Sequence, residues 1–193
     1  ESVYFIFFQL IIGLYIVLQF EFRVIVWSFL IVPLVICYPL LKRITYFPQI
    51  ALGLAFNWGV ILGHMSQSTS FNFEILYLYF GGVFLTIAYD TVYGFQDIKD
   101  DKKLGLKSMS IFFEKNIKFL LFTYIVSAVL FFIFLIVFFK NHYINLVFGS
   151  LILFAFLFQY FAFTNKVKLE IIFKSNIYIG AFVSFIIAVQ NYL

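Results

Sequence analysis

Residues 117–139 read IKFLLFTYIVSAVLFFIFLIVFF and contain a single charged side chain, Lys118. This run is longer than the ~20 mostly apolar residues with which a helix crosses the ~30 Å hydrocarbon core of a bilayer. A transmembrane β-strand would alternate polar and apolar residues, and this run does not alternate. It therefore predicts a membrane-spanning helix, because a helix satisfies its own backbone hydrogen bonds within lipid.

The whole chain shares this apolar character. Of its 193 residues, 64% are hydrophobic and only 11% are charged. A soluble domain has about 45–50% apolar and about 25% charged residues, so the composition excludes a water-soluble globule. Disorder is excluded as well, since the chain is so apolar and its net charge is only +4. The single cysteine, Cys37, leaves no intrachain disulfide and no cysteine metal site.

Six further apolar runs accompany the first one along the chain. The seven runs cover residues 4–20, 24–41, 50–63, 73–93, 117–139, 143–163 and 177–193. They predict an all-α fold, a polytopic bundle of about seven transmembrane helices that forms a single domain over residues 1–193. Pro33 and Pro39 predict a kink or an early end within the second run.

Positive charge is distributed unevenly between the connections. Eleven of the 13 lysines and arginines follow the second, fourth and sixth runs, against only Arg23 and Lys140 elsewhere. By the positive-inside rule these three connections face the cytoplasm or its equivalent, so the first helix starts inside and the last ends outside. Because topology explains the pI of about 9.1, we expect no nucleic-acid partner.

All four aspartates lie between positions 90 and 101, where the fourth run leaves the membrane on the basic side. On a continuing helix Asp90, Asp97 and Asp101 are related by steps of seven and four residues and share one face. Ionisable groups at membrane depth are costly and are usually functional. Carboxylates suit Mg²⁺, which binds one or two of them plus waters and phosphates. The alternative interpretation is a solvated loop of mixed charge.

A second polar cluster, residues 38–49 (YPLLKRITYFPQ), follows the second apolar run. Lys42 and Arg43 are either anchors of a helix end at the membrane interface or ligands of a diphosphate or a carboxylate. Arginine would make a two-pronged contact with such an anion, and lysine would act as a point charge. Spacing alone does not decide between these two roles.

Residues 89–108 (YDTVYGFQDIKDDKKLGLKS) resemble the second aspartate-rich motif of the UbiA-type intramembrane prenyltransferases. Residues 38–49 and 52–59 (LGLAFNWG) resemble the same family in order and spacing. The resemblance is specific over about residues 38–110 and only compositional beyond. It implies a bundle of nine transmembrane helices around a central cavity, of which this chain matches the last seven.

The resemblance implies a function. The expected reaction transfers a polyprenyl group from polyprenyl diphosphate to the ring of 4-hydroxybenzoate, a step of ubiquinone biosynthesis, with Mg²⁺ as cofactor. The expected location is the bacterial cytoplasmic membrane, with the mitochondrial inner membrane as the alternative.

The resemblance also implies roles for individual residues. Asp97 and Asp101 would hold Mg²⁺ with help from Asp90, and Lys42 and Lys107 would stabilise the departing diphosphate. The other implied substrate contacts are Arg43 for the aromatic carboxylate, Tyr38, Tyr93 and Asn57. Two alternatives remain: Asn57 bonded within the bundle, and interfacial tyrosines.

One element of the family pattern has no counterpart in this sequence. The family carries a first aspartate-rich motif, Asn-Asp-x-x-Asp, on its second helix, whereas no aspartate precedes Asp90 here. The resemblance therefore implies a partial enzyme that lacks the first two helices. Three alternatives stay open: a family member with another acceptor such as naphthoate or haem, an inactive remnant, and a channel or transporter subunit. A channel or transporter would place ionisable groups near mid-membrane on several helices.

Overall fold

The structure, a computed structural model, describes residues 2–190, and these form helices and turns without a strand. The helices are α1 (Ser2–Val17), α2 (Phe22–Leu30), α3 (Val32–Ile44), α4 (Pro48–Phe56), α5 (Trp58–Gln67), α6 (Ile75–Gly94), α7 (Ile98–Lys103), α8 (Met109–Phe112), α9 (Lys118–Phe138), α10 (His142–Thr164) and α11 (Leu169–Gln190). The predicted all-α fold is confirmed.

Five helical stretches of the described chain are long and apolar enough to cross a membrane. They are Phe22–Ile44, which joins α2 and α3, Ile75–Gly94, Lys118–Phe138, His142–Thr164 and Leu169–Val189. The first predicted run forms the shorter apolar helix α1, and the third forms the pair α4 and α5. The chain is therefore an integral membrane protein.

The second run breaks as its prolines predict. Helices α2 and α3 meet at Ile31, and Pro33 lies in the first turn of α3. Proline suits this position because the first N–H groups of a helix have no intrahelical partner. Pro39 lies inside α3 and has no N–H to donate to the carbonyl of Val35.

The third run divides at Asn57, which the sequence did not predict. The Asn57 side-chain amide donates to the carbonyl of Gly53, 2.9 Å away, and to the Thr86 hydroxyl of α6, also 2.9 Å away. An asparagine that bonds the backbone four residues earlier competes with the regular helical ladder. The Asn57–Thr86 hydrogen bond thus connects the junction of α4 and α5 to α6.

Helix α6 lies at the centre of the bundle and packs against α4, α5, α9 and α11. Two adjacent glycines allow its neighbours to approach closely. A Cβ on Gly81 would lie 3.2 Å from the Phe131 ring of α9, and one on Gly82 would lie 2.2 Å from the Asn57 side-chain oxygen. Close packing is the structural role that small residues have in membrane bundles.

The three basic connections lie at one end of the bundle, which we call the basic end. The Lys107 amide donates to the Lys42 carbonyl over 2.7 Å, so the connection after α6 contacts the end of α3. Val92, Leu120 and Ile172, from α6, α9 and α11, form a shared buried cluster at this end. This grouping is the one expected from the charge distribution.

The last helix begins earlier than the apolar run suggested. It starts at Leu169 rather than at residue 177, and its first turns contain the i,i+4 ion pair of Glu170 and Lys174, which adds a little to helix stability. The predicted end at residue 193 lies outside the described residues.

Candidate active site

Helix α6 ends at Gly94 and does not continue towards the aspartates. In a continuing helix the Phe95 amide would donate to the Thr91 carbonyl. Here the Ser110 hydroxyl donates to that carbonyl over 2.8 Å, and the Phe95 amide donates instead to Val92 over 3.2 Å. Ser110 also occupies the space beside Gly94, where a Cβ would lie 2.4 Å from its hydroxyl oxygen. Ser110 therefore closes the helix.

This break overturns one prediction. Asp90 does not share one face of a single helix with Asp97 and Asp101, because Asp90 belongs to α6, Asp101 belongs to α7, and Asp97 lies between these two helices. Asp97 precedes α7 directly, and the Asp101 amide donates to the Asp97 carbonyl over 2.8 Å. These two carboxylates are thus one turn apart, with Asp97 exposed and Asp101 half-buried.

The segment after α6 returns to the bundle as a closed loop, residues 95–107, which we call the aspartate loop. Gly105 turns the chain with φ of +67°, a conformation that favours glycine. The Leu106 amide then donates to the Asp101 carbonyl over 2.9 Å. Since Lys107 bonds the end of α3, both ends of the loop are held by the bundle.

Asp90 is half-buried near the end of α6 and faces several of the predicted residues. Lys42 of α3 and Asp97 of the aspartate loop interact with its carboxylate electrostatically. The charge of Asp90 also acts on the hydroxyl of Tyr38, which lies one turn before Lys42 on α3. Tertiary packing therefore brings Tyr38, Lys42, Asp90 and Asp97 to one place.

Gln49 belongs to this cluster, although the sequence analysis assigned it no role. Its side chain is only 3% exposed, and its oxygen accepts a hydrogen bond from the Met109 amide over 3.2 Å. Its amide nitrogen is then left to donate to the Asp90 carboxylate. A buried glutamine directly after Pro48, at the start of an apolar helix, is the signal that could have identified it.

Lys107, the last residue of the aspartate loop, packs against the C-terminal end of α3. Its ammonium donates to the Ile44 carbonyl over 3.1 Å and lies 5.6 Å from the centre of the Tyr46 ring. The last carbonyls of a helix favour a cation, which explains this position.

Arg43 is exposed, and among the described residues no carboxylate lies within ion-pair distance of it.

A cavity of about 520 Å³ lies along α6. Thr86 and Tyr89 of α6 line it, and Thr86 lies one turn before Asp90 on the same helix face. The polar groups Asn57 and Asn176 in its wall already bond other protein groups. The remaining lining is mostly apolar: Phe56, Val60, Leu78, Gly82, Leu85, Phe131, Phe173, Ile177, Gly180, Val183 and Ile187, with Ser184. Asn57 therefore bonds within the bundle and also lines the cavity, and its contact with a substrate stays a prediction.

The carboxylates do not form a closed metal cage. Within residues 2–190, no three His, Cys, Asp or Glu side chains lie close enough together to hold a metal ion. Asp97 and Asp101 fit the other arrangement that Mg²⁺ uses, in which one or two carboxylates are completed by waters and substrate phosphates. The donor set thus suits a cation that arrives with a phosphate ligand.

Known sequences resemble this chain. A sequence model described as the UbiA prenyltransferase family matches residues 1–186. The mitochondrial 4-hydroxybenzoate polyprenyltransferase of Drosophila melanogaster is 43% identical over 119 residues, which are 61% of this chain and 30% of that protein. The human enzyme of the same name is 52% identical over 86 residues, 44% of this chain and 23% of that protein. The 4-hydroxybenzoate geranyltransferase 2 of Lithospermum erythrorhizon is 44% identical over 107 residues, 55% of this chain and 35% of that protein.

The matched part of the chain spans about a third or less of the length of these relatives. Among solved structures, the apo structure of a UbiA homologue from Aeropyrum pernix K1 superposes with a TM-score of 0.75. The match covers 92% of this chain and 67% of that chain at 18% identity. Similarity at this level of identity concerns the fold, which is the same helical bundle.

Proposed function

This chain belongs to the UbiA prenyltransferase family, and we propose that it transfers a polyprenyl group from a polyprenyl diphosphate to the ring of 4-hydroxybenzoate. The position of Asp90 carries this proposal. The charges of Lys42 and Asp97 act on the Asp90 carboxylate, and on α6 Asp90 lies one turn beyond Thr86, a residue of the cavity wall. A substrate with a charged head and a hydrocarbon chain would find a partner for each part there.

The charged head would lie at the basic end. Asp97 and Asp101 would hold Mg²⁺ against the diphosphate, and when bound this ion neutralises charge on the leaving group as a Lewis acid. Lys42 and Lys107 lie at the end of α3 and would stabilise the departing anion electrostatically. Arg43, which has no carboxylate partner in the described part of the chain, would bind the carboxylate of the acceptor.

The reaction exchanges one bond for another at the first carbon of the prenyl chain. The bond from this carbon to the diphosphate oxygen breaks, and its electron pair leaves with the diphosphate. The ring carbon ortho to the phenol hydroxyl forms the new carbon–carbon bond and then loses its proton. The products are 3-polyprenyl-4-hydroxybenzoate, diphosphate and a proton.

The relatives support this choice of acceptor. The named fly, human and plant proteins share 4-hydroxybenzoate as acceptor, whereas the plant protein is named for a geranyl donor and the others for a polyprenyl donor. The fly and human proteins are mitochondrial by name, which favours a mitochondrial membrane for this chain over a bacterial one.

The proposal is tested with the complete gene product in membranes that have no prenyltransferase of this kind. We expect mass spectrometry to detect 3-polyprenyl-4-hydroxybenzoate, and we expect EDTA to stop its formation until excess Mg²⁺ is added. Prenylation of a naphthoate or of haem alone would assign another acceptor. No transfer to any acceptor would contradict the proposal and favour a non-enzymatic role.

A further inference from the structure

Three aromatic side chains lie beside one another near the end of α6 that carries Asp90. The ring centre of Phe173, on α11, is 4.5 Å from that of Tyr93 and 5.8 Å from that of Tyr89, both on α6. Tyr89 and Phe173 line the cavity, whereas Tyr93 contacts Phe173 but does not line it. Neither Tyr89 nor Phe173 has a role in the function proposed above.

The sequence position of Tyr89 locates this group of rings along a bound substrate. Tyr89 directly precedes Asp90, and the charge of Asp90 acts on the Tyr89 hydroxyl. A prenyl diphosphate whose head is held near Asp90 by the proposed Mg²⁺ site and Lys42, with its chain in the cavity, must pass from charged to apolar surroundings at this point. The carbon that carries the diphosphate is the atom that lies at this transition.

That carbon becomes positively charged when its bond to the diphosphate oxygen breaks, and the allylic double bond shares the charge. A cation within about 6 Å of an aromatic ring centre is attracted by the electron-rich ring face. A carboxylate would attract the charge too, but it would also be alkylated more readily than a hydrocarbon ring. Aromatic rings are thus suited to this place.

Exposure distinguishes these rings from the packing aromatics of the bundle. Phe173 is 36% exposed and Tyr93 is 39% exposed, whereas Phe131, which also lines the cavity, is 5% exposed within the core. Phe173 therefore lines the cavity without being covered by its neighbours, whereas Phe131 is packed on all sides.

We propose that Phe173 and Tyr89 are catalytic residues whose rings stabilise the positive charge on the allylic carbon, and that Tyr93 is a positioning residue for Phe173. This inference rests on the proposed function, because it takes a prenyl diphosphate as the substrate. Phe173 acts through its ring face and holds no proton or leaving group.

Fluorination of Phe173 separates charge stabilisation from packing, because fluorine withdraws electron density from the ring face with little change in size. The complete gene product in nanodiscs would carry phenylalanine with one, two or three fluorines at position 173. A second series at Phe131 is the matched control. The probes are a protonated allylic amine, which mimics the cation, and the uncharged alcohol of the same chain, each with inorganic pyrophosphate.

We expect the affinity for the ammonium probe to fall by about twofold to fivefold across the Phe173 series, while that for the alcohol stays constant. The Phe131 series should leave both affinities unchanged. Phe173→Leu should remove the preference for the ammonium. Equal losses for both probes, or no trend with fluorine number, would overturn the assignment and make Phe173 a packing residue.

The probe experiment needs no turnover, so it is independent of the test of the proposed function. A protein that binds the ammonium through Phe173 but prenylates no acceptor would contradict the function and retain the assignment of the ring. Where transfer is observed, kcat should fall along the Phe173 series while KM for the donor stays constant, since the interaction exists only in the transition state.

Discussion

The Lys42 ammonium of α3 acts electrostatically on the Asp90 carboxylate of α6, although α4 and α5 separate these helices in the chain. These two groups form a pair of opposite charges at the basic end of the bundle, beyond direct ion-pair distance in the described residues. An isolated charge at this depth would be costly, and each member of the pair offsets part of the cost of the other.

Lys42→Gln should lower kcat for prenyl transfer by about 10²–10³-fold, the effect of removing one group that stabilises a leaving anion. Arg43→Gln is the matched variant on the neighbouring residue, which is exposed and not paired with Asp90. We expect Arg43→Gln to raise KM for 4-hydroxybenzoate with a smaller effect on KM for the donor. Steady-state kinetics with each substrate varied in turn measures both effects, and identical profiles for the two variants would contradict the assigned roles.

Asp97→Asn and Asp101→Asn should each reduce transfer by about a hundredfold or more, because each removes a carboxylate charge from the proposed cation site. Membrane insertion should be unchanged, as judged by protease protection and thermal unfolding in detergent. Asp100→Asn is the control, since Asp100 is exposed and pairs with Lys103 over 3.1 Å. Normal turnover in both Asp97 and Asp101 variants would show that the acids form only a solvated loop.

Two substitutions of Gln49 should separate its two hydrogen bonds. Gln49→Leu leaves the buried Met109 amide without its acceptor, at a cost of about 1–3 kcal/mol in the free energy of unfolding. Gln49→Glu keeps an acceptor for Met109 but sets a second carboxylate against Asp90. We therefore expect both variants to lose transfer activity and Gln49→Glu to be the less stable one, because a second buried carboxylate beside Asp90 costs more than one lost hydrogen bond. A Gln49→Glu variant as stable as the wild type in thermal unfolding would show that the Gln49 amide does not support Asp90.

Gly94→Ala should destabilise the protein by roughly 1–3 kcal/mol through overpacking, because its Cβ would lie 2.4 Å from the Ser110 hydroxyl oxygen. Removal of that oxygen by Ser110→Ala leaves the side chain's Cβ, 3.3 Å from the added one. In a double-mutant cycle, Gly94→Ala should therefore cost less in the Ser110→Ala background than in the wild type. Strictly additive changes in the unfolding midpoint would show that the contact is easily relieved.

The transmembrane helices could be predicted from the sequence because in lipid the formation of a helix depends on the residues of that segment alone. A segment in lipid has no water to satisfy its backbone, so a long apolar run must form its own hydrogen bonds. The clustering of basic connections at one end followed in the same way from the order of the runs. The predicted start of α11 was too late because the prediction used apolar residues only. The first turns of the helix carry the charged residues Glu170 and Lys174.

The site was only partly predictable, because its geometry depends on contacts between residues far apart in the chain. The sequence alone determined that the aspartates leave the membrane together with the basic residues and that an apolar bundle accompanies them. Only the tertiary structure decided that Ser110 ends α6, that Gln49 joins Met109 to Asp90, and that Phe173 contacts both Tyr89 and Tyr93. Such contacts arise when separate helices pack around α6, and no periodicity within a single helix encodes them.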